Sequence, residues 1–255
     1  MSALLEARGI VKNYGHVHAL RGANFSIEAG KVIALVGDNG AGKSTLVKIL
    51  SGIETADAGE IQLEGEPIIL DNPAAVHRLG IETVYQDLAL APDLDPAANL
   101  FLGREVLRPG LLGRLGFLDN KTMQSRAADA FTDLGQTVQL LSVPVASLSG
   151  GQRQSVAVAR ASAWANRVVF LDEPTAALGV VQSGKVLDLI RRVRDRGIGV
   201  VLISHNMPQV MEVADRIEVL RLGKRVARFD PAQIEMSDIV AAMTGAYTEE
   251  EEATR

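Results

Sequence analysis

The sequence contains no cysteine. This absence excludes disulfide bonds, thiolate metal sites and cysteine nucleophiles. It fits a reducing compartment such as the cytosol, although many proteins outside the cytosol also lack cysteine. The chain has 255 residues, and a chain of this length buries a large apolar core without cross-links.

The sequence also lacks an excess of basic residues and a long apolar run. Its formal net charge is −5, whereas nucleic-acid-binding domains usually present a basic surface. A membrane-spanning helix needs about 20 apolar residues, but residues 156–171 are interrupted by Arg160 and Arg167. Residues 1–15 contain no basic segment followed by an apolar run, so we expect no signal peptide. Any work at a membrane would then depend on partner proteins.

The predicted elements alternate between strands and helices. Two β-rich segments open the chain, and short runs of β-branched residues indicate buried strands further along. We predict strands at residues 4–11, 17–27, 31–36, 60–63, 67–70, 81–85, 168–171, 199–203, 215–220 and 224–229. Helical spacing appears at residues 44–50 and 180–196. Strands separated by helices predict an α/β fold with a parallel sheet, and the last two strands are expected to form a hairpin.

Residues 87–147 differ in composition from the rest of the chain. They are richer in Leu, Ala, Pro and Gly, and they predict helices joined by loops. Because strand signals resume afterwards, we interpret this segment as a helical insertion into one domain, whose core is formed by residues 1–86 and 148–245. The tail at residues 246–255 contains four consecutive glutamates, at positions 249–252, and we expect it to be a solvated end. We find no internal repeat.

Residues 37–45 fit the pattern G-x-x-x-x-G-K-[ST] between a predicted strand and a predicted helix. Glycines let the backbone curve around a polyphosphate, and the helix N-terminus directs the positive end of its dipole towards it. We therefore predict an ATP-binding phosphate loop formed by Gly37, Asp38, Asn39, Gly40, Ala41, Gly42, Lys43, Ser44 and Thr45. Lys43 is expected to bridge the β- and γ-phosphates, and the Ser44 hydroxyl is expected to bind Mg²⁺.

Two consecutive acidic residues end the predicted strand at residues 168–171. Asp172 lies at the carboxyl edge of a parallel strand, where such folds bind ligands, and we expect it to hold Mg²⁺ directly or through water. The Glu173 side chain should point in a different direction, which suits the polarisation of a water that attacks the γ-phosphate. A solvated acidic turn before Pro174 is the alternative, which the phosphate loop upstream disfavours.

A second potential anion-binding helix end lies at residues 148–152. A serine N-cap followed by two glycines leads into a predicted helix that contains Val156 and Ala159. The five residues resemble the signature motif of ATP-binding cassette (ABC) proteins: Leu148, Ser149, Gly150, Gly151 and Gln152. A helix cap without a ligand is the alternative. The order of motifs also resembles this family, over residues 4–245: the phosphate loop, Gln86, the signature, the acid pair and His205.

The resemblance implies a P-loop ABC fold. Such a fold has a RecA-like parallel-sheet core, an N-terminal antiparallel β subdomain and an inserted helical subdomain. The resemblance also implies a head-to-tail homodimer, in which the signature of one chain caps the ATP bound to the other chain.

The resemblance further implies roles for single residues. Tyr14 would stack on adenine, Gln86 would sense Mg²⁺ and the attacking water, and His205 would contact the γ-phosphate and orient Glu173. Gln152 would touch the shared site less directly. A core position for Tyr14 and a structural position for His205 are the alternatives.

One position departs from the family pattern. The family usually has Asp in the loop that crosses the dimer interface, where this sequence has Gly179. The missing carboxylate leaves communication between the two sites and the hydrolysis rate open, but it does not affect the prediction of nucleotide binding.

Two functional classes fit an ABC cassette: a transporter ATPase and a soluble protein that acts on nucleic acid or ribosomes. The soluble proteins usually carry two cassettes, coiled-coil arms or cysteine-ligated zinc inserts, which this sequence lacks, and we expect no nucleic-acid partner. Residues 87–105 and 243–245 resemble bacterial monosaccharide importers of the ribose, xylose and fructose kind, and the single cassette resembles the fructose type. An ordinary helix cap and turn is the alternative for residues 99–105.

This resemblance implies an ATPase that lies on the cytoplasmic face of the bacterial inner membrane. Its partners would be a second copy of itself, integral membrane permease subunits and, indirectly, a periplasmic sugar-binding protein. An ABC ATPase of another transporter class is the alternative.

Overall fold

The computed structural model describes residues 3–135, 141–176 and 178–246. The four glutamates of the predicted tail lie outside the described residues. The strands, in chain order, are β1 (Leu5–Tyr14), β2 (Val17–Ile27), β3 (Val32–Val36), β4 (Ala58–Leu63), β5 (Glu66–Pro67), β6 (Ile81–Val84), β7 (Val168–Asp172), β8 (Gly199–Ile203), β9 (Arg216–Arg221) and β10 (Lys224–Phe229).

The N-terminal strands form an antiparallel sheet in the order β2-β1-β4-β5. This arrangement confirms the predicted N-terminal antiparallel unit. The strand predicted at residues 67–70 was largely wrong, because β5 covers only Glu66–Pro67. Pro67 lacks a backbone N–H, which restricts it to a sheet edge, and β5 is the edge strand.

The larger sheet has the order β10-β9-β3-β8-β7-β6. Its strands β9, β3, β8, β7 and β6 are parallel, and β10 pairs antiparallel with β9, which confirms the predicted hairpin. Every residue of β3 and β8 is buried. The continuous apolar runs of these central strands therefore reflect a sheet that is covered on both faces.

The helices, in chain order, are α1 (Lys43–Leu50), α2 (Pro73–Arg78), α3 (Pro96–Phe101), α4 (Leu111–Arg114), α5 (Asn120–Asp133), α6 (Gly150–Trp164), α7 (Val180–Asp195), α8 (Met207–Val213) and α9 (Met236–Thr244). Our sequence prediction omitted α2, α8 and α9, which are short. Among the described residues, no helix is both long and apolar enough to cross a bilayer.

Apolar side chains fill both sides of the parallel sheet. One cluster, which includes Phe25, Leu46 and Phe170, lies between this sheet, α1 and the antiparallel sheet. A second cluster joins β7 and β8 to α6 and α7 and continues into the segment before α6. Packing on both faces keeps the sheet in place, so the loops at its carboxyl edge start from well-defined positions.

Between β6 and α6, helices α3 and α5 pack against each other and against α6. Helix α3 contacts both α5 and α6, and Phe101 meets Trp164 of α6 edge to face at 5.5 Å between ring centroids. Met123 and Phe131 of α5 belong to the same apolar cluster as the sheet residues. Helices thus lie where the sequence predicts an insertion, while the exact division of the chain into core and insertion stays a prediction.

Candidate nucleotide site

The phosphate loop (residues 37–45) joins β3 to α1 at the carboxyl edge of the parallel sheet. Gly40 and Gly42 have φ angles of 78° and 105°, which favour glycine. A Cβ atom on Gly37 would lie 2.2 Å from the carbonyl oxygen of Leu220, and one on Gly42 would lie 2.7 Å from that of Ala19. The close contact of this loop with neighbouring strands therefore requires glycine at positions 37 and 42.

The Lys43 ammonium group is held inside the loop. It donates hydrogen bonds to the carbonyl oxygens of Gly37 at 2.7 Å and Asp38 at 3.1 Å. Burial lowers the pKa of this ammonium group, whereas the nearby charges of Glu173, Asp38 and Asp172 oppose that shift. The phosphate loop and the acid pair thus lie within electrostatic reach of each other, as the sequence motifs predict.

A cleft of about 360 Å³ lies over the phosphate loop. Its lining consists of Tyr14, the first residues of β2 and loop residues 39–45. The Tyr14 residue is 43% exposed, and its hydroxyl hydrogen-bonds to Glu54. Tyr14 is thus a partly open aromatic residue beside the phosphate loop and not a core residue. Its stacking on adenine stays a prediction.

The acid pair lies at the end of β7. Glu173 has a φ of 50°, which is uncommon for a residue other than glycine. Its backbone N–H donates to the carbonyl oxygen of Ile203 at 2.9 Å, which fixes it to the end of β8. His205 follows β8, and its Nδ1 lies 2.8 Å from Oε1 of Glu173. The fold therefore brings Glu173 and His205 into direct contact, with the carboxylate mostly buried and the ring exposed.

Asp172 lies in a negatively charged environment. Burial and the neighbouring charge of Glu173 raise the pKa of the Asp172 carboxyl, whereas Lys43 opposes that rise. The candidate ligands Asp172, Ser44 and Gln86 all offer oxygen atoms, which are the donors that Mg²⁺ prefers. A divalent cation would also offset the repulsion between the two carboxylates, so these residues fit Mg²⁺.

The loop after β6 carries Gln86 and has an unusual backbone. Leu88 and Ala89 have φ angles of 62° and 45°, in the left-handed region that such residues rarely adopt. Arg160 of α6 donates hydrogen bonds to both of their carbonyl oxygens, at 3.0 Å and 2.7 Å. Our sequence analysis did not assign Arg160 a role; its position as a charge within an apolar run was the available signal.

A second cavity of about 360 Å³ lies between this loop and the start of α6. Its lining includes Gln86, Glu173, Gly150 and Gln154. Gln86 and the first residue of α6 thus face the same space as Glu173. No signature residue lines the cleft over the phosphate loop in the part of the chain that the structure describes.

The signature residues build the N-terminus of α6. Ser149 is the N-cap and accepts a hydrogen bond from the backbone N–H of Gln152 at 3.3 Å, while the Gln152 side chain accepts one from the Ser149 N–H at 2.8 Å. This capping box occupies the Gln152 side chain, so the structure gives Gln152 a local role in the helix. Ser149 and Gly150 are exposed, whereas Leu148 is buried. The helix end thus faces outwards from its own chain.

Gly179 is the N-cap of α7. Its backbone N–H donates to Oε1 of Gln182 at 3.4 Å. The next two residues, Val180 and Val181, are 91% and 75% exposed. The surface beside the signature is therefore apolar at this point, where the family pattern would place a carboxylate.

Comparisons with known proteins agree with this arrangement. Residues 20–176 match a family model described as ABC transporter. The fructose import ATP-binding protein FrcA of Rhizobium meliloti is 53% identical over 252 residues, 98% of this chain and 97% of that protein. The xylose/arabinose import ATP-binding protein XylG of Sulfolobus acidocaldarius is 45% identical over 96% of this chain and 95% of that protein.

A solved structure shares the same fold. The crystal structure of a nucleotide-free ATP-binding cassette from an ABC transporter has a TM-score of 0.80 at 25% identity, covering 94% of this chain and 98% of that chain. The family model covers more than half of the chain, and both relatives align over nearly all of it. The chain therefore belongs to the ABC transporter family, in which it is an ATP-binding cassette.

Proposed function

We propose that the chain binds and hydrolyses MgATP as a homodimer and thereby drives the import of a monosaccharide through membrane permease subunits. The observation that supports hydrolysis best is the contact between Glu173 and His205, 2.8 Å apart, within electrostatic reach of Lys43. A general base, an orienting residue and a phosphate-binding cation are the groups that an attacking water needs.

Each residue of the site has a separate role in this proposal. The phosphate loop binds the β- and γ-phosphates through its backbone N–H groups, and Lys43 exchanges its carbonyl partners for phosphate oxygens. Glu173 accepts the proton of the attacking water, and His205 holds the carboxylate in position. Asp172, Ser44 and Gln86 would hold Mg²⁺, which supplies positive charge to the phosphates when it is bound. Tyr14 offers its ring to the adenine base.

The homodimer is inferred from the outward-facing start of α6. The exposed N-terminus of a 15-residue helix binds anions through its N–H groups and its dipole, while the chain's own phosphate loop lies in a different cleft. A second copy arranged by two-fold symmetry would place each signature over the ATP of the other chain. Ser149, Gly150 and Gly151 would then complete two equivalent sites.

The transport role rests on the relatives. Two proteins that align over nearly the whole chain are import ATP-binding proteins, one for fructose and one for xylose or arabinose. By this likeness, the chain lies on the cytoplasmic face of the bacterial inner membrane, acts on a permease through residues 87–105, and depends indirectly on a periplasmic sugar-binding protein. The likeness supports the class of monosaccharides and does not select one sugar.

Phosphate release by the purified chain and by its Glu173→Gln variant tests hydrolysis. Loss of the general base should lower kcat at least about 100-fold, while equilibrium binding of ATP remains. Glu212→Gln is the matched control, because Glu212 lies near the C-terminal end of α8, where it pairs with Arg191. Unimpaired turnover in Glu173→Gln would remove Glu173 from the role of base.

Uptake of labelled fructose, ribose and xylose by cells that lack the chain tests the transport role. Uptake of at least one sugar should fail and should return with the wild-type chain but not with Glu173→Gln. Normal uptake of all monosaccharides, together with a defect for another solute, would instead support a different class of ABC transporter.

A further inference from the structure

The loop after Gln86 adopts a conformation that its own sequence does not favour. Leu88 and Ala89 are both left-handed, with φ angles of 62° and 45°, although neither is glycine or asparagine. The backbone N–H of Leu88 donates to the carbonyl oxygen of Tyr85 at 2.9 Å, which closes one turn. One such turn does not account for two consecutive left-handed residues, so contacts from outside the loop must stabilise them.

Arg160 supplies those contacts. Its two terminal nitrogens donate to the carbonyl oxygens of Leu88 and Ala89 at 3.0 Å and 2.7 Å. The planar guanidinium group matches two adjacent acceptors, which a lysine ammonium group does not. The buried carboxylate of Glu82, which lines the same cavity as Arg160, pairs with Arg104 at 2.7 Å and with His77 at 2.9 Å instead. The Arg160 guanidinium is thus directed at the loop backbone.

The same helix carries the signature. Ser149 caps α6, and Arg160 lies eleven residues later, about 16 Å along the helix axis. The intervening residues Val156, Ala157, Val158 and Ala159 are all buried, so this part of α6 packs tightly. Near the helix start, Gly150 and Gln154 line the cavity that also contains Gln86. Helix α6 therefore contacts the loop through Arg160 and, near its start, borders the same cavity as the loop.

We propose that Arg160 is a positioning residue that joins the Gln86 loop and helix α6 into one unit. The inference rests on the proposed function, in which Gln86 responds to the chain's own MgATP and the signature meets the ATP of a second copy. A displacement of the loop on nucleotide binding then moves α6, and with it Ser149 and Gly150. Arg160 thereby couples the occupancy of one nucleotide site to the other.

Hydrogen exchange measured by mass spectrometry tests this coupling on the full chain. The parent is the Glu173→Gln variant, kept dilute enough to remain monomeric, and it is compared with Arg160→Met and Arg160→Lys in the same background. Arg126→Met is the matched control, because Arg126 is an exposed arginine on α5. Without nucleotide, residues 86–90 should exchange at least about tenfold faster in Arg160→Met than in the parent, because the loop has lost its support.

MgATP provides the second part of the test. In the parent it should slow exchange both at residues 86–90 and at residues 150–153. In Arg160→Met, ATP should bind with a Kd within about twofold of the parent value, because the phosphate loop is intact, but only residues 86–90 should respond. Arg160→Lys keeps the positive charge but makes fewer hydrogen bonds. In this variant, MgATP should slow exchange at residues 150–153 only partly.

Each contrary result is distinct. Equal exchange of residues 86–90 in the parent and in Arg160→Met would overturn the positioning role without any nucleotide. A full response at residues 150–153 in Arg160→Met would overturn the coupling. A parent that fails to bind ATP would contradict the proposed function instead, and the comparison without nucleotide would still decide whether Arg160 positions the loop.

Discussion

At the scale of the residue, the candidate site opposes the stability of the fold. Asp172 and Glu173 are adjacent carboxylates, and burial together with Glu173 raises the pKa of Asp172. Glu173 also has a left-handed backbone directly before Pro174, where a proline further restricts the preceding residue. Strained and like-charged groups of this kind are typical of functional sites. We expect neutral substitutions here to stabilise the protein while they impair binding or turnover.

The Asp172→Asn variant tests whether the charge of this site lowers the stability of the fold. A carboxyl whose pKa is raised in the folded state favours unfolding once it is ionised, and this effect disappears as the pH falls through the raised pKa. Asp172→Asn should therefore raise the thermal midpoint of the nucleotide-free protein at pH 7, and the gain should shrink as the pH is lowered. The same variant should lose the part of ATP affinity that depends on Mg²⁺.

Differential scanning calorimetry between pH 4 and pH 8, with and without MgATP, measures both effects. Asp188→Asn is the control, since Asp188 is an exposed carboxylate on α7 that pairs with Arg191. A lower midpoint for Asp172→Asn at pH 7 would show that its carboxylate stabilises the fold, contrary to this argument.

At the scale of the element, the phosphate loop shows how a motif is fixed by its neighbours. All three of its glycines have positive φ, but only Gly37 and Gly42 are also crowded. Gly37 lies against the carbonyl oxygen of Leu220 in β9, whereas a Cβ on Gly40 would have no heavy atom within 4 Å. The pattern of glycines therefore combines two requirements: a positive φ at all three positions and, at position 37, close packing in addition.

Gly37→Ala and Gly40→Ala separate these requirements. Gly37→Ala should lower the free energy of unfolding by at least about 3 kcal/mol, because a Cβ 2.2 Å from a backbone oxygen must displace β9 or the loop. Gly40→Ala should cost only about 1–2 kcal/mol, which is the conformational penalty of a left-handed alanine. Urea unfolding of both variants measures the difference, and equal costs would contradict the role of packing at position 37.

The sequence predicted the elements whose signal is local. Strands β3, β7 and β8 are short β-branched runs, and α1 follows a recognisable loop. Helices α2 and α8 have six and seven residues, and helices this short are stabilised by packing more than by a periodic pattern. Their starts are nevertheless marked in the sequence, because Asn72 and Asn206 cap them and a proline follows within the first turn.

Local sequence patterns do not predict which residues that are distant along the chain contact each other. Glu173 and His205 could be predicted as site residues from their positions after strands, because parallel strands end at one edge of the sheet. Arg160 contacts carbonyl oxygens 71 and 72 positions away along the chain. Nothing in the spacing around Arg160 indicates which backbone atoms it meets, so that role required the structure.

At the scale of the whole molecule, one chain presents two separate surfaces that we propose are the two halves of a shared nucleotide site. The phosphate loop with Tyr14 and the exposed start of α6 line separate spaces, and the surface beside the signature is apolar at Val180 and Val181. Contact with a second copy would cover these valines and join the two halves. Because Gly179 provides no carboxylate to this surface, we expect no coupling of the two sites through this loop, which leaves the contact of Arg160 with the Gln86 loop as the link between them.

Mixing two inactive variants tests whether the sites are shared. Lys43→Ala removes the cation of the phosphate loop. Gly150→Asp places a carboxylate at the exposed helix end, where it should repel phosphate; a Cβ there would lie 3.6 Å from the nearest side-chain atom, so the fold should tolerate it. Neither variant alone should hydrolyse ATP, because every site in either homodimer lacks one half.

An equal mixture behaves differently if the sites are composite. Random exchange makes half of the dimers mixed, and each mixed dimer has one complete site, formed by the phosphate loop of the Gly150→Asp chain and the signature of the Lys43→Ala chain. Phosphate release should therefore recover to at most about a quarter of the wild-type rate, which is the value for independent sites, and coupling through Arg160 should lower it below that value. Differently tagged chains verify that mixed dimers form. If they form with MgATP and release no phosphate, either the signature does not serve the partner's ATP or the two sites turn over only together, and independent shared sites are excluded.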